Sequence, residues 1–164
     1  VSNSEMAVAL LAELASATGG AGMIGGEQMD LDGQTEPPET VVVERIHAAK
    51  TARLIQSACR LGSIAAGADN NMSEALSDYG WHLGLAFQAA DDLLDVIGSI
   101  GEVGKATGKD ADAGKQTYPR AIGVDETRAR VQALTERSVE ALAPLGSAGT
   151  RLAALSKHAA TRRS

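Results

Sequence analysis

The sequence predicts an all-α domain, and three observations predict it. Apolar residues recur at the helical period in segment after segment, with no strand candidate of any strength and no internal repeat between them. The composition is rich in alanine and leucine, which suits helices packed at close range. Aromatic residues are few: Trp81, Tyr79, Phe87 and Tyr118 make up the whole set. With 164 residues the chain has ample length for a core, and it reads as a single domain over residues 1–164, or part of a larger one.

Taken in order, Met6, Leu10, Leu14 and Ala17 place an amphipathic helix over about Glu5 to Ala17. The stretch from Thr18 to Gly33 is dense in glycine but lacks the Lys-Ser/Thr ending of a phosphate-binding P-loop, and no strand precedes it. Its glycines either cradle an anion or let helices bend and approach closely. Gln34 to Thr40, with Pro37 and Pro38, reads as a loop. A second helix runs from Val41 to about Ala66, its apolar side formed by Ile46, Ala49, Leu54, Ala58, Leu61 and Ala65. Lys50 intrudes beside that stripe, followed by Thr51. Such a lysine either snorkels to water or aims its ammonium at an anion held between helices. After a turn at Gly67 to Asn71, Ser73 is the expected N-cap of a long helix from Glu74 to about Ile97. Two more helices are expected, from about Glu126 to Leu142 and from about Arg151 to Arg162, with Asp125 and Thr150 as caps.

The long helix ends in FQAADDLLDV, Phe87 to Val96. Gln88, Asp91, Asp92 and Asp95 fall at i, i+3, i+4 and i+7, an arrangement that puts them on one arc of a helix. Phe87, Ala90, Leu93, Leu94 and Ile97 fill the other faces. Two carboxylates about 6 Å apart repel by roughly 3 kcal/mol at an effective dielectric near 20. Three on a greasy helix call for a counter-charge, unless they are simply a solvated face. A hard divalent cation shared with a phosphate fits them, since Mg²⁺ is usually held by one or two carboxylates plus phosphate oxygens and water. Beyond the acids, Lys105, Lys109 and Lys115 alternate with glycines, near Asp110 and Asp112. A glycine-hinged, lysine-bearing loop beside a carboxylate site is suited to closing over a diphosphate; without the acids it would read as an ordinary solvated loop.

Several function classes are excluded. The net charge of −6 argues against general nucleic-acid binding. No uninterrupted apolar run is expected to span a bilayer, because Glu13 and glycines break the opening stretch from Met6 to Ile24. The single Cys59 makes no internal disulfide, which fits a reducing, cytoplasmic setting. His47, His82 and His158 lack metal-ligand spacing and read as structural or exposed. The chain opens on Val1 without a basic or secretory leader, and it is expected to be a piece of a longer protein.

Five motifs in order, GGEQMDL (Gly25 to Leu31), IHAAKT (Ile46 to Thr51), FQAADDLLDV, GKATGKD (Gly104 to Asp110) and GKQTYP (Gly114 to Pro119), resemble the C-terminal half of the trans-prenyltransferases. These are the farnesyl and geranylgeranyl diphosphate synthases of the polyprenyl synthetase family. The resemblance implies an isoprenoid-synthase helical bundle around a deep central cavity, usually a homodimer. It implies that Asp91, Asp92 and Asp95 are the second aspartate-rich motif, binding Mg²⁺ that bridges to an allylic diphosphate. Lys50 and Lys105 are similar to the lysines that grip that diphosphate, and Thr51 and Gln88 to the oxygen-bearing residues that face the allylic cation. Lys109, Asp110 and Lys115 match within their motifs. Asp30 matches the aspartate of the family's G-G-Q-x-x-D pattern, whereas Glu27 stands where that pattern has glutamine.

The implied reaction condenses an allylic diphosphate with isopentenyl diphosphate and releases diphosphate. It needs no side-chain nucleophile, and no Ser-His-Asp or Cys-His arrangement is evident. The family's first aspartate-rich motif does not occur in these residues. The chain is therefore expected to be the C-terminal part of a synthase, inactive alone. The alternatives are a noncatalytic helical subunit that partners a catalytic prenyltransferase, and a terpene cyclase or other diphosphate-releasing enzyme on the same scaffold.

Overall fold

In a computed structural model the chain is described over residues 3–101 and 114–161, and every regular element there is helical. The order is α1 (Asn3–Thr18), α2 (Met23–Asp32), a 3₁₀ turn (Gly33–Thr35), α3 (Thr40–His47), a π-helical turn (Ala48–Ala52) and α4 (Arg53–Ala66). There follow α5 (Asn70–Gly101), α6 (Tyr118–Ile122), α7 (Val124–Ala141), a 3₁₀ segment (Ala143–Gly149) and α8 (Thr150–Thr161). The expected all-α class is what the chain adopts.

The long helix α5 is the spine, packed along its length by α4 on one side and α7 on another. Toward its C-terminal end it buries Ala89, Ala90 and Leu93 with Val43 of α3, Tyr118 of α6 and Val131 of α7. Nearer its start, Tyr79 and Leu83 join Leu142 and Ala159. The Tyr79 hydroxyl satisfies itself by donating to the Leu152 carbonyl at 3.0 Å. A fully buried Tyr79 thereby ties α5 to α8 without leaving a polar atom stranded.

Several boundaries differ from the sequence reading. The α5 helix begins at Asn70, because Asp69 rather than Ser73 supplies the cap: its Oδ1 accepts the Met72 N–H at 2.8 Å. Gly123, not Asp125, occupies the cap position of α7, and Asp125 sits inside the first turn, where its charge favours the positive end of the helix dipole. Thr150 opens α8, but its hydroxyl donates backwards to the Ser147 carbonyl at 2.8 Å. The expected helix from Val41 to Ala66 is interrupted by the π turn that carries Lys50 and Thr51. More than half of the expected glycine-rich loop is the helix α2.

The opening stretch also needs correction. Taken as one unit, Asn3–Thr35 is long and apolar enough to cross a membrane. The bends at Gly19 to Gly22 divide it into helices of 16 and 10 residues, each shorter than the roughly 20 a span requires. Glu13 is ion-paired to Arg60 of α4 at 2.9 Å. Large apolar side chains on both helices face outward, with Val8 and Leu11 each 67% exposed and Ile24 63%.

Candidate functional site

Two contacts assemble the site. The Thr51 hydroxyl donates to Gln88 Oε1 at 2.8 Å, joining the π turn to α5. Because Gln88 lies one turn before Asp91 and Asp92, this bond sets the Lys50-bearing turn beside the acidic end of α5. A π turn inserts one residue into a helix and re-aims the side chains that follow, a device common at functional sites.

The second contact places Lys50 between two acids of α2. Its Nζ lies 2.6 Å from Glu27 Oε2 and 2.7 Å from Asp30 Oδ2. Burial works to lower the lysine's pKa, but the hydrogen bonds and charges of Asp30 and Glu27 outweigh it and hold the ammonium above its ordinary range. The close approach of α2 explains one glycine. A Cβ on Gly26 would fall 2.2 Å from the Lys50 backbone nitrogen, a distance no side chain can occupy. Close helix approach is therefore the role of glycine at this point of the Gly-rich stretch.

The four polar residues of α5 share one arc but differ in burial across it. Adjacent residues on a helix are about 100° apart, so an arc holding both Asp91 and Asp92 is wide. Gln88 and Asp92 turn toward the neighbouring elements, whereas Asp91 is half-buried and Asp95 exposed. Asp92 is 5% exposed, and its Oδ2 accepts the Tyr118 backbone N–H at 2.9 Å. The same oxygen lies 3.3 Å from His47 Nε2. Burial pushes the Asp92 carboxyl up to about 7, reinforced by Asp91 and Asp95 and opposed by hydrogen bonds from Tyr118 and Gln88. Burial, together with the charges of Lys50 and Arg130, takes His47 down to about 3. The imidazole is therefore neutral, and the contact is not an ion pair. His47 Nδ1 is buried with no hydrogen-bond partner among the described residues.

The segment returning toward α6 is moored firmly. Gln116 is 2% exposed, and its Nε2 donates to the carbonyls of Gly33 (2.8 Å) and Glu36 (3.0 Å) while Oε1 accepts the Glu39 N–H at 3.4 Å. Gly114 adopts φ +70°, and a Cβ there would meet the Gln34 carbonyl at 1.8 Å. Lys115 is half-buried on this segment. Lys105, Lys109 and Asp110 lie outside the described residues. His47, expected from the sequence to be structural or exposed, is buried, whereas Gln116 and Tyr118 have no role in the sequence pattern alone. The only signal for those two was their place inside GKQTYP.

Among the described residues, no three His, Cys, Asp or Glu side chains gather as a ready-made metal cage. The donor chemistry still suits a hard cation at Asp91 and Asp95, one turn apart on the more open face of α5. Asp92 is buried, and one of its two oxygens accepts the Tyr118 N–H. Among the described residues, clefts also occur elsewhere. One, of about 340 Å³, includes Arg130 and Arg137 of α7; another, of about 170 Å³, lies by Met29 and Arg45. Neither is lined by Lys50, Thr51, Gln88 or the acids.

Comparison with known proteins bears on this arrangement. The model of the family described as polyprenyl synthetase matches residues 3–143. Farnesyl diphosphate synthase of Escherichia coli K12 is 40% identical over 139 residues, which cover 84% of this chain and 46% of that protein. The crystal structure of a decaprenyl diphosphate synthase from Rhodobacter capsulatus superposes with a TM-score of 0.83 at 27% identity, covering 98% of this chain and 62% of that one. That of a geranyltransferase from Helicobacter pylori, complexed with magnesium and isoprenyl diphosphate, gives 0.77 at 28% identity, covering 97% and 52%. The chain thus spans about half the length of the proteins it matches.

Proposed function

Since the chain belongs to the polyprenyl synthetase family, we propose that it forms the diphosphate-binding part of a prenyltransferase. In this reading the whole protein condenses an allylic diphosphate with isopentenyl diphosphate and releases diphosphate. The observation that carries it is the Thr51–Gln88 hydrogen bond, which joins the Lys50 turn to the acidic helix. A scattered set of polar residues would have no need of that register.

Ionising an allylic diphosphate leaves concentrated negative charge on oxygen and a delocalised cation on carbon. Mg²⁺, held by Asp91 and Asp95, would supply positive charge to the departing oxygens. Lys50 adds its ammonium to the same oxygens, joined by Lys105, Lys109 and the half-buried Lys115. The Thr51 proton is committed to Gln88, so the lone pairs of the hydroxyl and of the amide oxygen remain to face positive charge. Neither group is a strong nucleophile, which leaves the carbocation free for the alkene. Asp92 serves a different end, holding α5 to Tyr118 and His47. The outward apolar side chains of α1 and α2 support the expectation of a homodimer. A reducing, cytoplasmic setting accords with the lone, unpaired Cys59.

Catalysis calls for parts of the fold that these residues do not provide, including a first aspartate-rich motif. A chimera in which this chain replaces the matched segment of the Escherichia coli farnesyl diphosphate synthase tests the reading. Product from geranyl and isopentenyl diphosphates, lost on Lys50→Ala, supports it. A well-folded chimera that turns over neither substrate favours the noncatalytic subunit, and diphosphate release without isopentenyl diphosphate favours a lyase.

A further inference from the structure

The group around Lys50 carries more negative charge than it needs. Asp30 alone neutralises the ammonium, and at 15% exposure it is nearly enclosed. Glu27, one turn earlier on α2, adds a second carboxylate at 2.6 Å and brings the three side chains to a net charge of −1. The two acids differ in freedom. Glu27 is 51% exposed, so its carboxylate can swing into water, whereas Asp30 has little room to leave. The backbone beneath them is fixed, because Gly26 lies against the Lys50 main chain and holds α2 on the π turn.

We propose that Glu27 is a tethered anion that competes with the incoming diphosphate for the Lys50 ammonium, so that this one side chain lowers the affinity of the site and eases product release. The inference rests on the reading of Lys50 as a diphosphate ligand. A diphosphate that reaches Lys50 must displace Glu27 or bear its repulsion, while Asp30 stays in place and keeps the lysine oriented. Where the family pattern has glutamine, the site would hold a neutral amide and no such competition would occur. The pair is partly exposed, so its weight is that of a screened contact and not of a buried one. Salt weakens it further.

Calorimetric titration of the chain with inorganic pyrophosphate in magnesium buffer tests the proposal, using Glu27→Gln, Glu27→Ala, Lys50→Met and the double variant Glu27→Gln/Lys50→Met. Circular dichroism checks that each variant keeps its helices. Both Glu27 variants are expected to bind up to about fivefold tighter at low salt, with the gain shrinking as salt rises. The alanine variant separates lost competition from any new contact made by the amide. In the Lys50→Met background the Glu27 substitution should add nothing. If Lys50→Met weakens binding while both Glu27 variants bind no tighter than the parent, the competition is refuted and the lysine assignment stands. If Lys50→Met binds as the parent does, or the parent and Glu27 variants all fail to bind, the lysine assignment falls and this inference with it.

Discussion

Thr51 donates its hydroxyl hydrogen to Gln88 at 2.8 Å, and that bond fixes how the π turn sits against α5. Removing either partner leaves the other half-buried and underused. Thr51→Val keeps the shape and should cost about 1 kcal/mol in urea unfolding, with Gln88→Leu similar. The double variant should cost less than the sum, since each single change breaks the same bond. Strict additivity would show that the bond does not couple the two segments.

The buried pair of Asp92 and His47 predicts an unusual pH profile for the metal-free protein. Asp92 is raised from 3.8 to about 7, so its contribution to stability is full below 3.8 and is lost as pH rises through 7. His47 is lowered from 6.5 to about 3, so its contribution is full above 6.5 and is lost as pH falls through 3. The two slopes have opposite sign and offset each other between about 4 and 6.5, so this pair leaves stability flat there. Asp92→Asn removes one slope and should make stability climb with pH across that window. His47→Gln should make it fall instead. Urea midpoints in chelator-containing buffers at several pH values measure this, and parallel profiles for the parent and both variants would contradict it.

Gln116 bridges three backbone groups between Gly33 and Glu39. Gln116→Leu fills the same volume but strands two carbonyls and one N–H, for a cost of about 1–3 kcal/mol. Amide exchange of Glu39 should accelerate more than that of the α5 core. Unchanged protection at Glu39 would show that the segment is held by other means.

The helices were legible in the sequence because their apolar stripes are long and their breaks are marked by glycine and proline. The π turn was not, since one extra residue at Ala48–Ala52 leaves the stripe from Ile46 to Leu54 looking continuous. Likewise, the spacing of Gln88, Asp91, Asp92 and Asp95 gives a period, but only the neighbours decide which way each side chain turns. The Tyr118 N–H that claims Asp92 lies 26 residues away. Capping residues were misassigned for a related reason. Asp69 and Gly123 each have a second acceptable cap a few residues on, Ser73 and Asp125, and local chemistry does not choose between them. The pairing of Lys50 with Glu27 and Asp30 depends on two helices meeting at Gly26, a contact that no spacing within either helix reveals.

We propose that Asp91 and Asp95 of α5 hold magnesium for a diphosphate, while the buried Asp92 holds the scaffold. Titrating a bisphosphonate into the chain with and without Mg²⁺, for the parent and for Asp91→Ala, Asp95→Ala and Asp92→Asn, tests it directly. Magnesium-dependent binding is expected to be abolished in Asp91→Ala and weakened in Asp95→Ala, and to survive in Asp92→Asn wherever that variant is folded. Unchanged binding by Asp91→Ala would contradict it.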